Sequence, residues 1–167
     1  MNTTLSDFLN EIQADPDMIQ QALTIYLSQQ TNDLTPDEML SELRTSATDT
    51  KELEQTRRYL EQTPEAVQQA ALAYFEREWD KEVQHPTIRT VFQHAKEQLP
   101  VVETAIIAVA AMYVIHLIVT GGVLEREDKT RQKPDGTFET IKSEKFEPFS
   151  PIVSGIAKLL GMRKGGR

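Results

Sequence analysis

At 167 residues, with 39% hydrophobic and 26% charged side chains, the chain is long enough for one domain or two small ones. Eighteen basic against 26 acidic side chains give a net charge of -8, which argues against nucleic-acid binding, an affinity that comes largely from neutralising phosphates. The absence of cysteine excludes disulfides, thiolate metal sites, iron–sulfur clusters and cysteine nucleophiles, and three histidines make a His-rich metal centre unexpected.

The charge is uneven. Residues 1–100 hold 18 acids and 8 bases, whereas residues 101–167 hold 8 acids and 10 bases, so the two halves are expected to meet different surroundings. Glycine is absent before residue 121, and a first half rich in Gln, Glu, Ala and Leu is expected to be helical.

Three helix starts punctuate that half: Asp15-Pro16-Asp17, Thr35-Pro36-Asp37 and Thr63-Pro64-Glu65. In each, a capping side chain precedes a proline that has no N–H to lose, and an acid suits the positive end of the helix dipole. Thr35 with Glu38 also fits a capping box. The expected helices run over 4–14, 16–30, 35–46, 49–61, 64–84 and 86–99. The first offers Leu5, Phe8, Leu9 and Ile12, and the second Ile19, Leu23, Tyr26 and Leu27. The fourth is mostly polar, anchored by Leu53, Tyr59 and Leu60. In the fifth, Glu76, Glu78, Asp80 and Glu82 read as a solvated side. The sixth lines up Ile88, Val91, Phe92, Ala95 and Leu99 on one face. Short connections favour antiparallel neighbours in an N-terminal helical bundle over 1–99.

Residues 104–124 then form an uncharged stretch, TAIIAVAAMYVIHLIVTGGVL, that would reach about 30 Å as a helix, the thickness of a bilayer core. Its apolar residues go all round the helix. Such a helix is either a membrane span or a buried strut in protein, and its length favours the span. The expected membrane helix comprises Ile106, Ile107, Val109, Met112, Tyr113, Val114, Ile115, His116, Leu117, Ile118 and Val119, with the polar Tyr113 and His116 expected to face other helices or water, while Ala105, Ala108 and Ala111 are spaced for close helix–helix packing. The stretch lies too far along the chain, after too acidic a start, to be a signal peptide. The bases flanking it favour a cytoplasmic C-terminal side, but that would require exporting the helical half, so orientation stays open.

Over 125–147 the turn signal Pro134-Asp135-Gly136 sits between two charged stretches, the pattern of a short β-hairpin that needs something to pack against. Over 148–167 a last amphipathic helix shows Ile152, Ile156, Leu159 and Leu160 on one face, with Arg163 and Lys164 in a basic tail. That combination suits an anionic membrane surface, or simply packing on the protein with a solvated tail.

The apolar helix followed by the K-P-D-G-T hairpin, from Val101 to about Lys145, resembles the small membrane-tethered effector-associated constant components of bacterial conflict systems. The likeness is one of arrangement rather than motif. It implies a non-enzymatic scaffold or tether beside a separate effector, and no functional residue carries over from it.

The fold class read from the sequence is therefore mainly α: a helical bundle, a long apolar transmembrane helix, a short hairpin and a terminal amphipathic helix. No phosphate loop, dinucleotide fingerprint, HExxH pair or G-x-S-x-G elbow is present, so no catalytic residue, cofactor or metal is expected. The expected function is a non-catalytic, membrane-anchored adaptor. Its acidic helical domain would bind a protein partner, and the chain could form a homo-oligomer. Two alternatives are a membrane-perturbing effector that inserts as an oligomer, and a soluble, cytoplasmic structural subunit whose apolar helix is buried in an assembly.

Overall fold

A computed structural model describes residues 3–46, 50–97, 103–120 and 128–142. Helix α1 (Leu5–Glu11) opens on a capping box: the Asp7 N–H donates to Thr4 Oγ1 (3.0 Å) and the Thr4 N–H to Asp7 Oδ2 (3.3 Å). It stops short of residue 14 because Gln13 turns left-handed (φ 56°) and the Ala14 N–H closes on the Leu9 carbonyl at 3.0 Å. Helix α2 (Pro16–Gln30) begins where Asp15 Oδ1 accepts from the Met18 N–H at 2.8 Å. It closes in the same way, with Asn32 left-handed (φ 56°) and the Asp33 N–H on the Ser28 carbonyl at 2.8 Å. At the head of α3 (Pro36–Ser46) the Thr35 N–H donates to Glu38 Oε1 (2.9 Å) and the Glu38 N–H to Thr35 Oγ1 (3.2 Å).

Helix α4 (Thr50–Gln62) buries Leu53, Thr56 and Leu60, a one-sided stripe, while Tyr59 is 42% exposed and is not an anchor. Helix α5 (Pro64–Trp79) ends five residues before the expected 84, and a 3-10 turn at Glu82–Gln84 leads into α6 (His85–Glu97). Ile88, Val91, Phe92 and Ala95 of α6 are buried. The rings of Phe8 and Trp79 stack at 5.3 Å, and Phe75 meets Phe92 at 5.1 Å, tying α1, α5 and α6 together.

The expected transmembrane helix is overturned. Helix α7 (Thr104–Thr120) is 17 residues long, and among the described residues no helix is long and apolar enough to cross a membrane. It packs instead against α3, α4, α5 and α2. Met112, Val114 and Ile115 are fully buried in protein, and Ile107, Val109, Tyr113 and Ile118 nearly so; Ile106, His116 and Leu117 are partly covered. Ala108 and Ala111 are fully buried, whereas Ala105 is exposed. Protein covers most of this all-round apolar helix, and each fully buried Val, Ile or Met there contributes about 1.5–3 kcal/mol.

After α7, strands β1 (Asp128–Gln132) and β2 (Phe138–Lys142) pair antiparallel, with Thr130 opposite Thr140. The Lys133–Thr137 connection turns at Gly136 (φ 94°), whose N–H donates to the Lys133 carbonyl at 2.9 Å. Asp135 Oδ1 accepts from the Thr137 N–H (2.9 Å) and hydroxyl (2.6 Å), and these bonds hold its carboxyl below the usual range. The hairpin finds its packing surface on the helical bundle. It rests on α1 and α5, with Phe138 buried. Asn10 pairs with the β2 backbone like an extra strand: its Nδ2 donates to the Phe138 carbonyl (2.9 Å) and its Oδ1 accepts from the Phe138 N–H (2.7 Å). The expected C-terminal helix, with Ile152, Ile156, Leu159, Leu160, Arg163 and Lys164, lies outside the described residues, as does the side chain of Val119.

Candidate functional site

The ends of α2, α3, α5 and α7 meet around an open cleft of about 520 Å³. Helical spacing sets its chemistry. On α5, Tyr74 and Glu78 lie four residues apart and face inward together, and Arg77 is followed four residues later by Lys81 beyond the helix end. On α7, Tyr113 and Leu117 repeat the same interval. Helix α3 contributes Glu42, and the loop after α2 contributes Leu34.

The charged groups are bonded in a definite order. Glu78 is 4% exposed: its Oε1 accepts from the Tyr26 hydroxyl at 2.8 Å and its Oε2 from Lys81 Nζ at 3.2 Å. A carboxylate so covered needs these partners, since burying it alone would cost several kcal/mol. Arg77 donates through Nη1 to the Leu117 carbonyl at 3.2 Å, latching α5 to the last turn of α7. The Tyr113 hydroxyl donates to Glu42 Oε1 at 2.7 Å, latching α7 to α3. The Tyr74 hydroxyl group makes no hydrogen bond among the described residues, although Tyr74 is only 3% exposed.

Burial pushes all three phenols up, so each keeps its proton at neutral pH. For Tyr26 the bond to Glu78 adds to burial, and for Tyr74 the charge of Glu78 adds to it and Arg77 partly opposes it. Tyr113 is raised to about 12 by burial and then by its bond to Glu42. Burial also lowers His116 against the opposing pull of Glu42, so its imidazole favours the neutral form. The arrangement offers hydrogen-bonding hydroxyls, one exposed carboxylate and one guanidinium. It is suited to holding a polar group in place. Among the described residues no cluster of His, Asp or Glu could hold a metal ion.

A second hollow, of about 280 Å³, lies between α3, α4 and the start of α7, with Leu40 and Ile106 in its wall. Arg57 at its edge is already held by Glu54 and Glu61 on its own helix.

Of the residues singled out from the sequence, Tyr113, Leu117 and Glu78 line the cleft, with the His116 ring beside Tyr113. Glu76 and Glu78, read as solvated, are instead 7% and 4% exposed, because α5 is covered by α2, α7 and the hairpin. Asp80 and Glu82 are exposed. Trp79 is core: it stacks on His85 at 3.8 Å, and its Nε1 donates to the Thr3 carbonyl at 2.8 Å. Sequence reasoning missed Tyr74, Arg77 and Glu42. The available signal was a pair of polar side chains, Tyr74 and Glu78, on the face of α5 that also carries Ala70 and Ala71. Comparison with protein-family models, curated proteins and solved structures finds no match to this chain.

Proposed function

We propose that the chain is a non-catalytic adaptor whose acidic helical half binds a protein partner presenting a basic surface. The observation that carries this reading is the corner formed by the α2–α3 connection and α3. Asp33, Asp37, Glu38 and Glu42 are all exposed there, and none of them pairs with a lysine or arginine among the described residues. Glu38 and Glu42 stand four residues apart on one helix, where like charges oppose the fold by about 0.2–0.5 kcal/mol. A basic partner would relieve that repulsion. The bundle covers α7 by itself, so this reading calls on no lipid anchor.

The test is cross-linking of the full chain in its source cells, followed by purification of the complex. A stoichiometric complex is expected, and it should weaken as salt is raised to about 0.5 M, where exposed charges are screened within a few ångströms. It should also be lost in the variant Asp37→Lys, Glu38→Lys, Glu42→Lys, provided that variant melts like the wild type. A complex indifferent to both salt and the substitutions would refute the acidic corner as the binding surface.

A further inference from the structure

We infer that the cleft between α2, α3, α5 and α7 is a binding site for a small zwitterion, an aliphatic α-amino acid. This goes beyond the adaptor reading and does not depend on it.

The inference starts from which charges are already satisfied. Lys81 and Glu78 face each other at 3.2 Å, and the other oxygen of Glu78 accepts from Tyr26. That pair is closed. Arg77 uses one of its five N–H groups on the Leu117 carbonyl and forms no ion pair among the described residues. Glu42, at the α3 side, receives only the Tyr113 hydroxyl. One cation and one anion therefore remain open in the same cleft, and the lining is otherwise balanced in charge. A simple anion would meet Glu42, and a simple cation would meet Arg77. A molecule carrying both a carboxylate and an ammonium suits both.

The second observation is Tyr74. Its side chain is 97% buried by its 3% exposure, it lines the cleft, and its hydroxyl makes no hydrogen bond among the described residues. That hydroxyl is not sealed in the core; it opens to the cleft, where it can bond a ligand. The charges of Glu78, Arg77 and Tyr113 act on it, so it shares the cleft with the open Arg77. A bound carboxylate held by Arg77 would accept a hydrogen bond from that hydroxyl. Leu34 and Leu117 supply an apolar wall for an aliphatic side chain, and about 520 Å³ falls in the range of small-molecule sites.

The experiment is calorimetric titration of the full chain with L-valine, L-leucine, L-isoleucine and L-methionine. Beside them run two half-ligands of leucine, 3-methylbutylamine and 4-methylpentanoate. At least one amino acid should bind, with both half-ligands about 10- to 100-fold weaker, the loss expected for one charge-assisted contact. Tyr74→Phe, Arg77→Gln and Glu42→Gln should each weaken binding, and melting curves show whether each variant is folded. Binding of the amine or the acid as tight as that of the amino acid would overturn the inference. So would the absence of binding by all four amino acids up to about 10 mM, where the binding free energy falls below about 3 kcal/mol. The half-ligands test the wild type, so the result stands even if a variant fails to fold.

Discussion

Replacing Ile115 by alanine, beside the milder Ile115→Val, measures whether α7 is a structural core element. Ile115 is 0% exposed, with Ala111 one turn away also at 0%. The alanine variant leaves a cavity where the branched side chain was, and such changes cost about 2–5 kcal/mol, against about 0.5–1.5 kcal/mol for valine. Domains of this size unfold with about 5–15 kcal/mol, so alanine would remove a large share of the total. Urea unfolding of the full chain in detergent-free buffer reads the difference directly. The midpoint should fall steeply for alanine and slightly for valine, with the slope unchanged because the exposed surface is the same. A loss below about 1 kcal/mol for alanine would refute the burial argument. Retention of the wild type in carbonate-washed membranes until detergent is added would refute it independently.

Two further outcomes follow from the same contacts. Asn10→Ala removes both bonds to the Phe138 backbone; with about 1 kcal/mol per bond, and more for groups left unpaired, a loss of about 2–3 kcal/mol is expected, together with faster hydrogen exchange at the Phe138 amide. Unchanged exchange there would show that the hairpin does not rest on α1. The pH response should fall off at both ends. His116 is lowered on folding, so its contribution is complete above its unfolded value near 6.5 and is lost as pH falls through the folded value; His116→Gln should flatten that part of the acid limb in a stability–pH profile. Tyr113 is raised to about 12, so its contribution is complete below pH 10 and is lost as pH rises toward about 12, which phenolate absorbance of wild type against Tyr113→Phe will show.

Local signals in the sequence were followed closely by the structure where the chemistry is local. Asp15 and Thr35 cap the helices that their neighbouring prolines announce, and Pro134-Asp135-Gly136 makes the turn it suggests. What the sequence could not carry is the company each helix keeps. Residues 104–120 are apolar on every side, a pattern shared by a lipid-facing helix and by one enclosed in protein. The deciding fact is the cover supplied by α3, α4 and α5, and α4 looked too polar to supply it. Its cover comes from Leu53, Thr56 and Leu60 at helical spacing, with Thr56 uncounted because it is polar. Glu78 was misread for the same reason: a carboxylate on a helix is usually solvated, and the distant Tyr26 together with Lys81 makes its burial tolerable. The cleft was invisible because Glu42, Tyr74 and Tyr113 come from three separate helices.

The central position of α7 has a consequence for how the chain must be made. Helices α3, α4 and α5 leave the ribosome before the segment that fills the space between them, and Asn10 waits for a strand 128 residues further on. At about 5–20 residues per second, the apolar faces of the early helices stay uncovered for a time on the order of seconds. The nascent chain therefore spends that interval as an acidic bundle without its core helix. Its high negative charge keeps neighbouring copies apart while the core is missing, and a chain stopped before Thr104 would carry those open faces permanently.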